Sequence, residues 1–486
     1  MYNLPTRKYF PENSNDLIVK VNEKEKEEAM TKLRRFWGGM LAAMLAVTSL
    51  MGCGNDPAGS SAKSEGSGQK SVSGDSKGSA GESNKKYDCT LKVIGVDNVI
   101  ATTALKYLNE LEEEYGIKVE FQQYSNEQAS NKIAVSMAAG GSDIDVMMIR
   151  PLDETLLFSQ NGWLENLQPY IDKDPEVDYE DFMEACREVC VNQDGDAVCL
   201  PAMTESGVVY YNKKMFAEAG ITELPKTMDE LYEVAGKLDD PDNDICGFAC
   251  RGASNPAVTQ FSCFLRAFGG DFFDEDKNAT LNTTEAMKAY EFYGKLLRDY
   301  GPDGVLNMTW TDTWNLFTQG KAAMRLDANT NLGSWNEEDV AISMDDIGFF
   351  DIPVGSEGDY GNYYITPWAF GMSYGSENKE AAWTFIKWAT SKEMQIEAQK
   401  NGSSGARLSS WQEDYSPWPK EVQELAAEAG AKSFGTDRPY MINVSSARDM
   451  IGEIITAAIE GDQDLQKLAD KKNADFQALL DSEKTS

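Results

Sequence analysis

The chain has 486 residues, of which 80 are acidic and 45 are Lys or Arg, and its formal net charge at pH 7 is −35. This charge argues against nucleic acid and against anionic lipid surfaces, because phosphate groups attract a basic protein face. The sequence contains no histidine, which excludes Ser-His and Cys-His nucleophiles and histidine metal sites. Two-carboxylate chemistry stays open, but we expect no catalytic residue, no metal and no cofactor.

The N-terminal segment has the pattern of an exported lipoprotein. A basic cluster at 32–35 precedes the apolar stretch 36–50, which is followed by Gly52 and Cys53. The stretch is shorter than the roughly 20 apolar residues of a membrane-spanning helix. We therefore predict a lipoprotein signal peptide over 30–52, lipid attachment at Cys53, and anchoring to the extracytoplasmic face of the cell membrane. The alternative is a buried amphipathic helix with a chance cysteine.

Two further N-terminal segments flank this signal. Residues 1–29 are polar and mixed in charge, whereas Met30 would be an ordinary start before a signal peptide. We predict that 1–29 is a non-native or cytoplasmic extension. After Cys53 the chain consists mainly of Gly, Ser, Lys, Asp and Glu, which cannot bury enough apolar surface to offset the entropy of ordering. Residues 53–86 are therefore predicted to be the lipidated cysteine and a disordered Gly/Ser linker.

The remaining chain, from about residue 87, is long enough for two lobes, because a single hydrophobic core stops growing at about 250–300 residues. Its first part alternates between strands and helices. We predict strands at 90–96, 117–121 and 145–149, and helices at 101–115 and 131–139. Such alternation indicates a parallel sheet that is covered on both faces.

Ligands of such sheets bind beyond the carboxyl ends of the strands. Asp97 and Asn98 follow the first predicted strand, while Arg150 and Asp153 follow the third. These four side chains are therefore candidate ligand contacts.

Further along the chain, two strands at 197–201 and 208–212 are predicted to flank a polar loop at 203–206. A short helix follows at 213–219. Thr227 and Glu230 then have the spacing of a capping box, which indicates the start of another helix.

The segments 211–221 and 224–231 resemble the signature stretch of family 1 extracellular solute-binding proteins, which are sugar-binding components of ABC importers. Further stretches that are similar to this family follow in the family's order at Phe268–Phe273, Phe317–Met324, Asn378–Ile386, Ser391–Glu393 and Gly405–Arg407. Together these stretches span most of the chain after residue 87.

The resemblance implies an α/β, two-lobed periplasmic-binding-protein-like fold with a hinge and an interlobe cleft. Lobe 1 would comprise 87–204 plus 371–410, and lobe 2 would comprise 205–370 plus 411–486. The chain would cross between the lobes at Glu205 and again around Thr366.

The resemblance also implies a function. The protein would be a monomer that binds a mono- or oligosaccharide in the cleft and delivers it to the transmembrane subunits of an ABC permease. It would bind no nucleic acid and catalyse nothing. The alternatives are a binding protein for a peptide or polyamine and a secreted glycoside hydrolase that uses two carboxylates.

A sugar site needs polar groups for hydroxyls and aromatic rings for C–H faces. Trp368, after Pro367, is predicted to be such a ring, with a plain core tryptophan as the alternative. Trp310 and Trp314 have helical spacing and are expected to pack. Glu205 is a candidate contact by the resemblance, or else a hinge ion pair. The other candidates, from loop position and the resemblance, are Asn255, Thr259, Gln260, Asn329, Asn331 and Arg448.

Seven cysteines follow Cys53, and an odd number cannot all pair within one chain. We expect buried free thiols. One or two disulfides are the alternative.

Overall fold

A computed structural model describes residues 86–484, except for 355–358, 361–363, 412–416, 433–435 and 462–463. The described residues belong to one compact unit, Glu82–Ser486. The predictions made for residues 1–85 lie outside the described residues. Within those residues, none of the helices has the length and apolar character that crossing a membrane requires.

Strands and helices alternate over most of the described chain. The strands are β1 (Cys89–Val96), β2 (Ile117–Tyr124), β3 (Val146–Ile149), β4 (Cys199–Asn212), β5 (Cys246–Ala249), β6 (Ala322–Ala328), β7 (Ile347–Phe350), β8 (Pro353–Val354), β9 (Asp359–Tyr360) and β10 (Ile365–Met372). The helices are α1 (Val99–Tyr115), α2 (Asn126–Ala138), α3 (Pro151–Gln160), α4 (Gln168–Ile171), α5 (Glu184–Glu188), α6 (Lys213–Glu218), α7 (Met228–Leu238), α8 (Ser254–Ala267), α9 (Thr284–Tyr300), α10 (Trp310–Thr318), α11 (Lys379–Ala389), α12 (Lys392–Lys400), α13 (Lys420–Lys432), α14 (Val444–Glu460) and α15 (Leu465–Glu483).

Local sequence signals determine several of these boundaries. Helix α1 ends where Gly116 adopts a left-handed conformation (φ 78°), which glycine reaches without a steric penalty. The capping box that opens α7 is confirmed. The Glu230 amide donates to Thr227 Oγ1 at 3.1 Å, and the Thr227 amide donates to Glu230 Oε2 at 3.1 Å.

The main sheet has the order β2-β1-β3-β10-β4-β6-β5, and β7 also pairs with β4. The predicted parallel pairing is confirmed for β1 with β2 and β3. Strand β10, for which the sequence predicted no strand, runs antiparallel to both β3 and β4. The sheet is therefore mixed.

The prediction of two strands around a polar loop at 203–206 is wrong, because β4 is one continuous strand of 14 residues. Its polar segment has partners of its own. The Ser206 amide donates to Asn329 Oδ1 at 3.1 Å, and the Thr204 amide donates to the carbonyl of Ser404 at 3.2 Å. On β10, Thr366 lies opposite Glu205 in the antiparallel register.

Two large clusters of buried apolar side chains form separate cores. One draws its members from 91–203 and 368–398, and the other from 209–352, Tyr364 and 441–480. The second core contains a stacked aromatic pair, Phe261 and Tyr290, with ring centroids 4.4 Å apart. The exact bounds given above for the two lobes stay a prediction.

The cysteines of the described chain carry free thiols, and all but Cys89 are buried: Cys89, Cys186, Cys190, Cys199, Cys246, Cys250 and Cys263. Burial raises the pKa of Cys186, Cys246 and Cys250 to about 12.

Candidate ligand-binding site

A cavity of about 380 Å³ lies at the carboxyl ends of β1 and β3, beside strands β4 and β10. Its wall combines charged, amide and aromatic side chains. It is lined by Asp97, Asn98, Val99, Asn126, Arg150, Leu152, Asp153, Met203, Glu205, Arg251, Trp310, Ala328, Thr330, Asn331, Gly333, Ser334, Thr366, Pro367, Trp368, Gly402, Ser403 and Arg438.

The structure brings seven of the twelve predicted ligand contacts to this wall: Asp97, Asn98, Arg150, Asp153, Glu205, Asn331 and Trp368. The other five do not line the cavity: Asn255, Thr259, Gln260, Asn329 and Arg448. The four residues that were predicted because they follow strands of the sheet, Asp97, Asn98, Arg150 and Asp153, all line the cavity. Of the residues predicted from the family resemblance, some line the cavity and others lie behind its wall.

Asp97 and Asn98 reach the cavity because β1 ends immediately before them. Asn98 caps helix α1: its Oδ1 accepts from the Ala101 amide at 3.0 Å, and its Nδ2 donates to Met148 Sδ at 3.5 Å. The oxygen of Asn98 is thus used by the helix. Asp97 is exposed, so its carboxylate is a ready acceptor for a ligand.

A charged cluster surrounds Asp153 near the start of α3. Nη1 of Arg438 donates to both carboxylate oxygens of Asp153, at 2.8 and 2.7 Å, and Arg150 Nη1 lies 3.4 Å from Oδ2. Burial by itself raises the pKa of Asp153, but Arg438 and Arg150 outweigh it and lower that pKa to about 2. Asp153 is therefore ionised at neutral pH and fully engaged by arginines.

The neighbouring carboxylate of Asp437 orients Arg438. Asp437 accepts from its Nε at 2.7 Å and from its Nη2 at 2.5 Å. Thr259 Oγ1 donates to Asp437 at 2.8 Å, and Arg448 Nη2 contacts Thr259 Oγ1 at 3.3 Å. Thr259 and Arg448 thus fix the carboxylate that orients Arg438. Asn255 lies further out, where its Nδ2 donates to Asp449 at 2.7 Å.

A second buried carboxylate, Asp327, holds the cavity residue Arg251. Arg251 Nη2 donates to Asp327 Oδ1 at 2.5 Å, and Arg325 Nη2 lies 2.9 Å from Oδ2. Burial raises the pKa of Asp327, but the two arginines outweigh it and the net shift is downward. Gln260 Nε2 also donates to Asp327, at 3.2 Å. Gln260 therefore supports Arg251 from behind the wall.

Asn331 is oriented by the same cluster. Its Oδ1 accepts from Arg325 Nη2 at 2.8 Å, which leaves its amide nitrogen as the donor for a cavity ligand. Asn329 is buried, and its oxygen accepts from the Ser206 amide on β4. Asn331 can thus contact a ligand, whereas Asn329 fastens the neighbouring turn to the sheet.

Glu205 is only partly exposed on strand β4. Burial raises its pKa to about 6, although Arg251 and a hydrogen bond with Thr330 pull the pKa down. Glu205 is therefore mostly ionised at pH 7 and becomes neutral in mildly acidic solution.

Two tryptophans contribute aromatic surface to the wall. Trp368 is 9% exposed and also belongs to the core of 91–203 and 368–398. Trp310 is the first residue of α10 and is 40% exposed. The prediction that Trp310 packs in a core is wrong, because the helix begins at the rim of the cavity. The same prediction is confirmed for Trp314, one turn later, which is 6% exposed and contacts Tyr210.

The model of the family described as bacterial extracellular solute-binding protein matches residues 98–396, which is more than half of the chain. The chain belongs to this family. The matched region contains strands β4 and β10 and most of the cavity wall.

This solute-binding protein is similar to binding proteins of other bacteria. It is 28% identical over 293 residues to a mannitol-binding protein of Pseudomonas aeruginosa, covering 58% of this chain and 66% of the relative. It is 26% identical over 336 residues to an erythritol/L-threitol-binding protein of Mycolicibacterium smegmatis, covering 65% and 70% respectively.

Solved structures confirm the fold class. The solute-binding protein superposes with a TM-score of 0.70 on an ABC transporter solute-binding protein from Agrobacterium radiobacter K84 in complex with ribitol. The two are 23% identical, and the match covers 81% of this chain and all of the other. Maltose-bound MalE3 of T. maritima gives a TM-score of 0.68 at 24% identity, covering 80% of this chain and all of that one. The predicted two-lobed α/β fold is confirmed.

Sequence reasoning missed three important wall residues of the solute-binding protein: Arg251, Arg438 and Trp310. Arg251 comes two residues after β5, so the carboxyl-end rule could have found it. Arg438 lies on a segment before α14 and has no local motif, because its partner Asp153 is 285 residues away.

Proposed function

We propose that this protein binds a small carbohydrate, namely a sugar or a sugar alcohol, in the cavity and delivers it to the transmembrane subunits of an ABC importer. The observation that carries the proposal is the composition of the wall, in which carboxylates and amides accompany two tryptophan rings. Sugars require both, since hydroxyls need donors and acceptors while C–H faces need apolar surface. The names of the mannitol- and erythritol-binding relatives support the same class of ligand.

Individual wall residues would have distinct roles. Asp97 and Glu205 would accept hydrogen bonds from ligand hydroxyls, and the Asn331 amide would donate one. Trp310 and Trp368 would pack against the C–H face of the ligand. The residues behind the wall would act indirectly, by orienting those that contact the ligand: Asn255, Thr259, Gln260, Asn329 and Arg448.

The charges of the wall favour a neutral ligand. Arg150, Arg251 and Arg438 each lie within 3.5 Å of a carboxylate, so the positive charge is largely balanced. A polyamine would gain little from Asp153, because that carboxylate is already paired with Arg150 and Arg438. An anionic ligand would have to compete with carboxylates that already occupy the arginine donors.

The protein would be a monomer, anchored by a lipid on Cys53, and would release its ligand unchanged. Lobe 1 (87–204 plus 371–410) would rotate against lobe 2 (205–370 plus 411–486) about the crossings near Glu205 and Thr366. Differential affinity for the closed form would drive closure.

A thermal-shift screen of Glu82–Ser486 against sugars, sugar alcohols, polyamines and peptides tests this proposal. A ligand at 100 times its Kd stabilises the native state by about 2.7 kcal/mol, which is a measurable rise in Tm. We expect a rise with at least one sugar or sugar alcohol. A rise with polyamines or peptides alone would contradict the proposal, and chromatographic recovery of a cleaved ligand would favour a glycoside hydrolase.

A further inference from the structure

Segments assigned to different lobes touch at two points on the cavity wall. The first is the ion pair between Asp153, at the start of α3, and Arg438, on the segment before α14. One nitrogen of Arg438, Nη1, donates to both oxygens of Asp153, and both side chains are mostly buried. Charge-assisted hydrogen bonds are short and strong, so this contact requires the two segments to be close together.

The second point is a contact between two glycine backbones. Gly402 follows α12, and its amide donates to the Gln399 carbonyl at 3.0 Å. Gly333 lies in the short 3-10 turn Asn329–Ser334. A Cβ built on Gly333 would lie 2.8 Å from the Gly402 carbonyl oxygen, and a Cβ on Gly402 would lie 3.1 Å from the Gly333 Cα. No side chain fits between them.

The need for glycine at position 333 arises from this contact. Gly333 does not have a positive φ, so its own backbone accepts alanine without strain. Gly402 has a φ of 86° and would be strained by any side chain. Gly333 is therefore the cleaner probe, because a methyl group there meets only the backbone of the facing segment.

We propose that the Asp153–Arg438 pair and the Gly333–Gly402 contact are two clasps that hold the cleft closed around its ligand. This inference rests on the proposed function. Both contacts join segments assigned to different lobes, so they would strengthen ligand binding by favouring the closed form, in addition to any contact that these cavity-lining residues make with the ligand. Because they belong to the protein itself, part of the unliganded protein is also closed.

The test compares wild-type Glu82–Ser486 with Gly333→Ala, Asp153→Asn and their combination. The control is Asp481→Asn, which removes a carboxylate from an exposed ion pair on α15. The radius of gyration is measured by small-angle scattering without ligand and with a sugar or sugar alcohol taken from the screen. Calorimetry and stopped-flow mixing give the affinity and the dissociation rate.

We expect Gly333→Ala to weaken binding about tenfold, mainly through faster dissociation, and to leave the unliganded Tm nearly unchanged because the clash is relieved by opening. The double variant should bind more weakly still and have a larger unliganded radius than wild type. The control should match wild type. If Gly333→Ala has the same ligand affinity and the same radius of gyration as wild type, the clasp proposal is refuted, while the sugar-binding proposal stands.

A different result would distinguish the clasp proposal from the proposed ligand class. If no panel member binds but the double variant still expands relative to wild type, the clasps are real and the ligand class is wrong. A fall in the Tm of Gly333→Ala by as much as a core substitution causes would also overturn the clasps, since the contact would then lie within one rigid body.

Discussion

Truncating Trp310 tests whether the exposed aromatic ring on the cavity wall binds ligand. Tryptophan carries up to about 250 Å² of surface, and this side chain is 40% exposed. About 100 Å² is thus free for a ligand, worth at most about 2.5 kcal/mol at 25 cal/mol per Å². If the ligand covers half of this exposed area, Trp310→Ala would weaken binding by about 1.3 kcal/mol, which corresponds to a roughly tenfold higher Kd.

The matched control lies one turn further along the same helix. Trp314 is 6% exposed and packs among buried aromatic rings. We expect Trp314→Ala to cost about 3–5 kcal/mol of unfolding free energy, as truncation of a core aromatic does. Trp310→Ala should leave the free energy of unfolding nearly unchanged.

Titration calorimetry and urea denaturation on the two variants separate ligand contact from packing. The reasoning is refuted if Trp310→Ala binds the ligand as tightly as wild type. It is also refuted if that variant loses as much stability as Trp314→Ala.

Three further predictions concern other residues. Trp368→Ala should weaken binding by about 1–3 kcal/mol, and a collapse of Tm with no selective change in affinity would assign this side chain to the core alone. The raised pKa of Glu205, about 6, contributes stability that is present below the ordinary pKa of 4.5 and is lost as the pH rises through 6. Urea denaturation between pH 4.5 and 7 should therefore show a flatter profile for Glu205→Gln than for wild type, and parallel profiles would contradict the assigned pKa. Cys53→Ser should abolish labelling by radioactive palmitate and leave unprocessed precursor; normal labelling would exclude this cysteine as the attachment site.

Local patterns predicted the parts of the fold that local chemistry determines. The strand at 90–96, the helix that ends at Gly116 and the capping box at Thr227 all depend on neighbouring residues. Strand β4 was misjudged because Thr204 and Ser206 look like loop residues. Their partners, Ser404 and Asn329, are distant in sequence.

The residues of the candidate site also fall into those that local sequence predicts and those that depend on distant parts of the chain. The carboxyl-end rule found Asp97 and Arg150, since it needs only the position of a strand. Arg438 was missed because its role depends on Asp153, which no spacing rule connects to it. Trp310 was missed because helical periodicity does not reveal that α10 begins at the cavity rim.

The buried thiols are distributed so that they can report on each core separately. Cys190 and Cys199 lie in the core of 91–203 and 368–398, whereas Cys250 and Cys263 lie in the core of 209–352 and 441–480. A buried thiol is inert toward alkylating reagents until its surroundings open. Pulsed alkylation followed by peptide mass spectrometry would therefore record how often each half of the native protein opens.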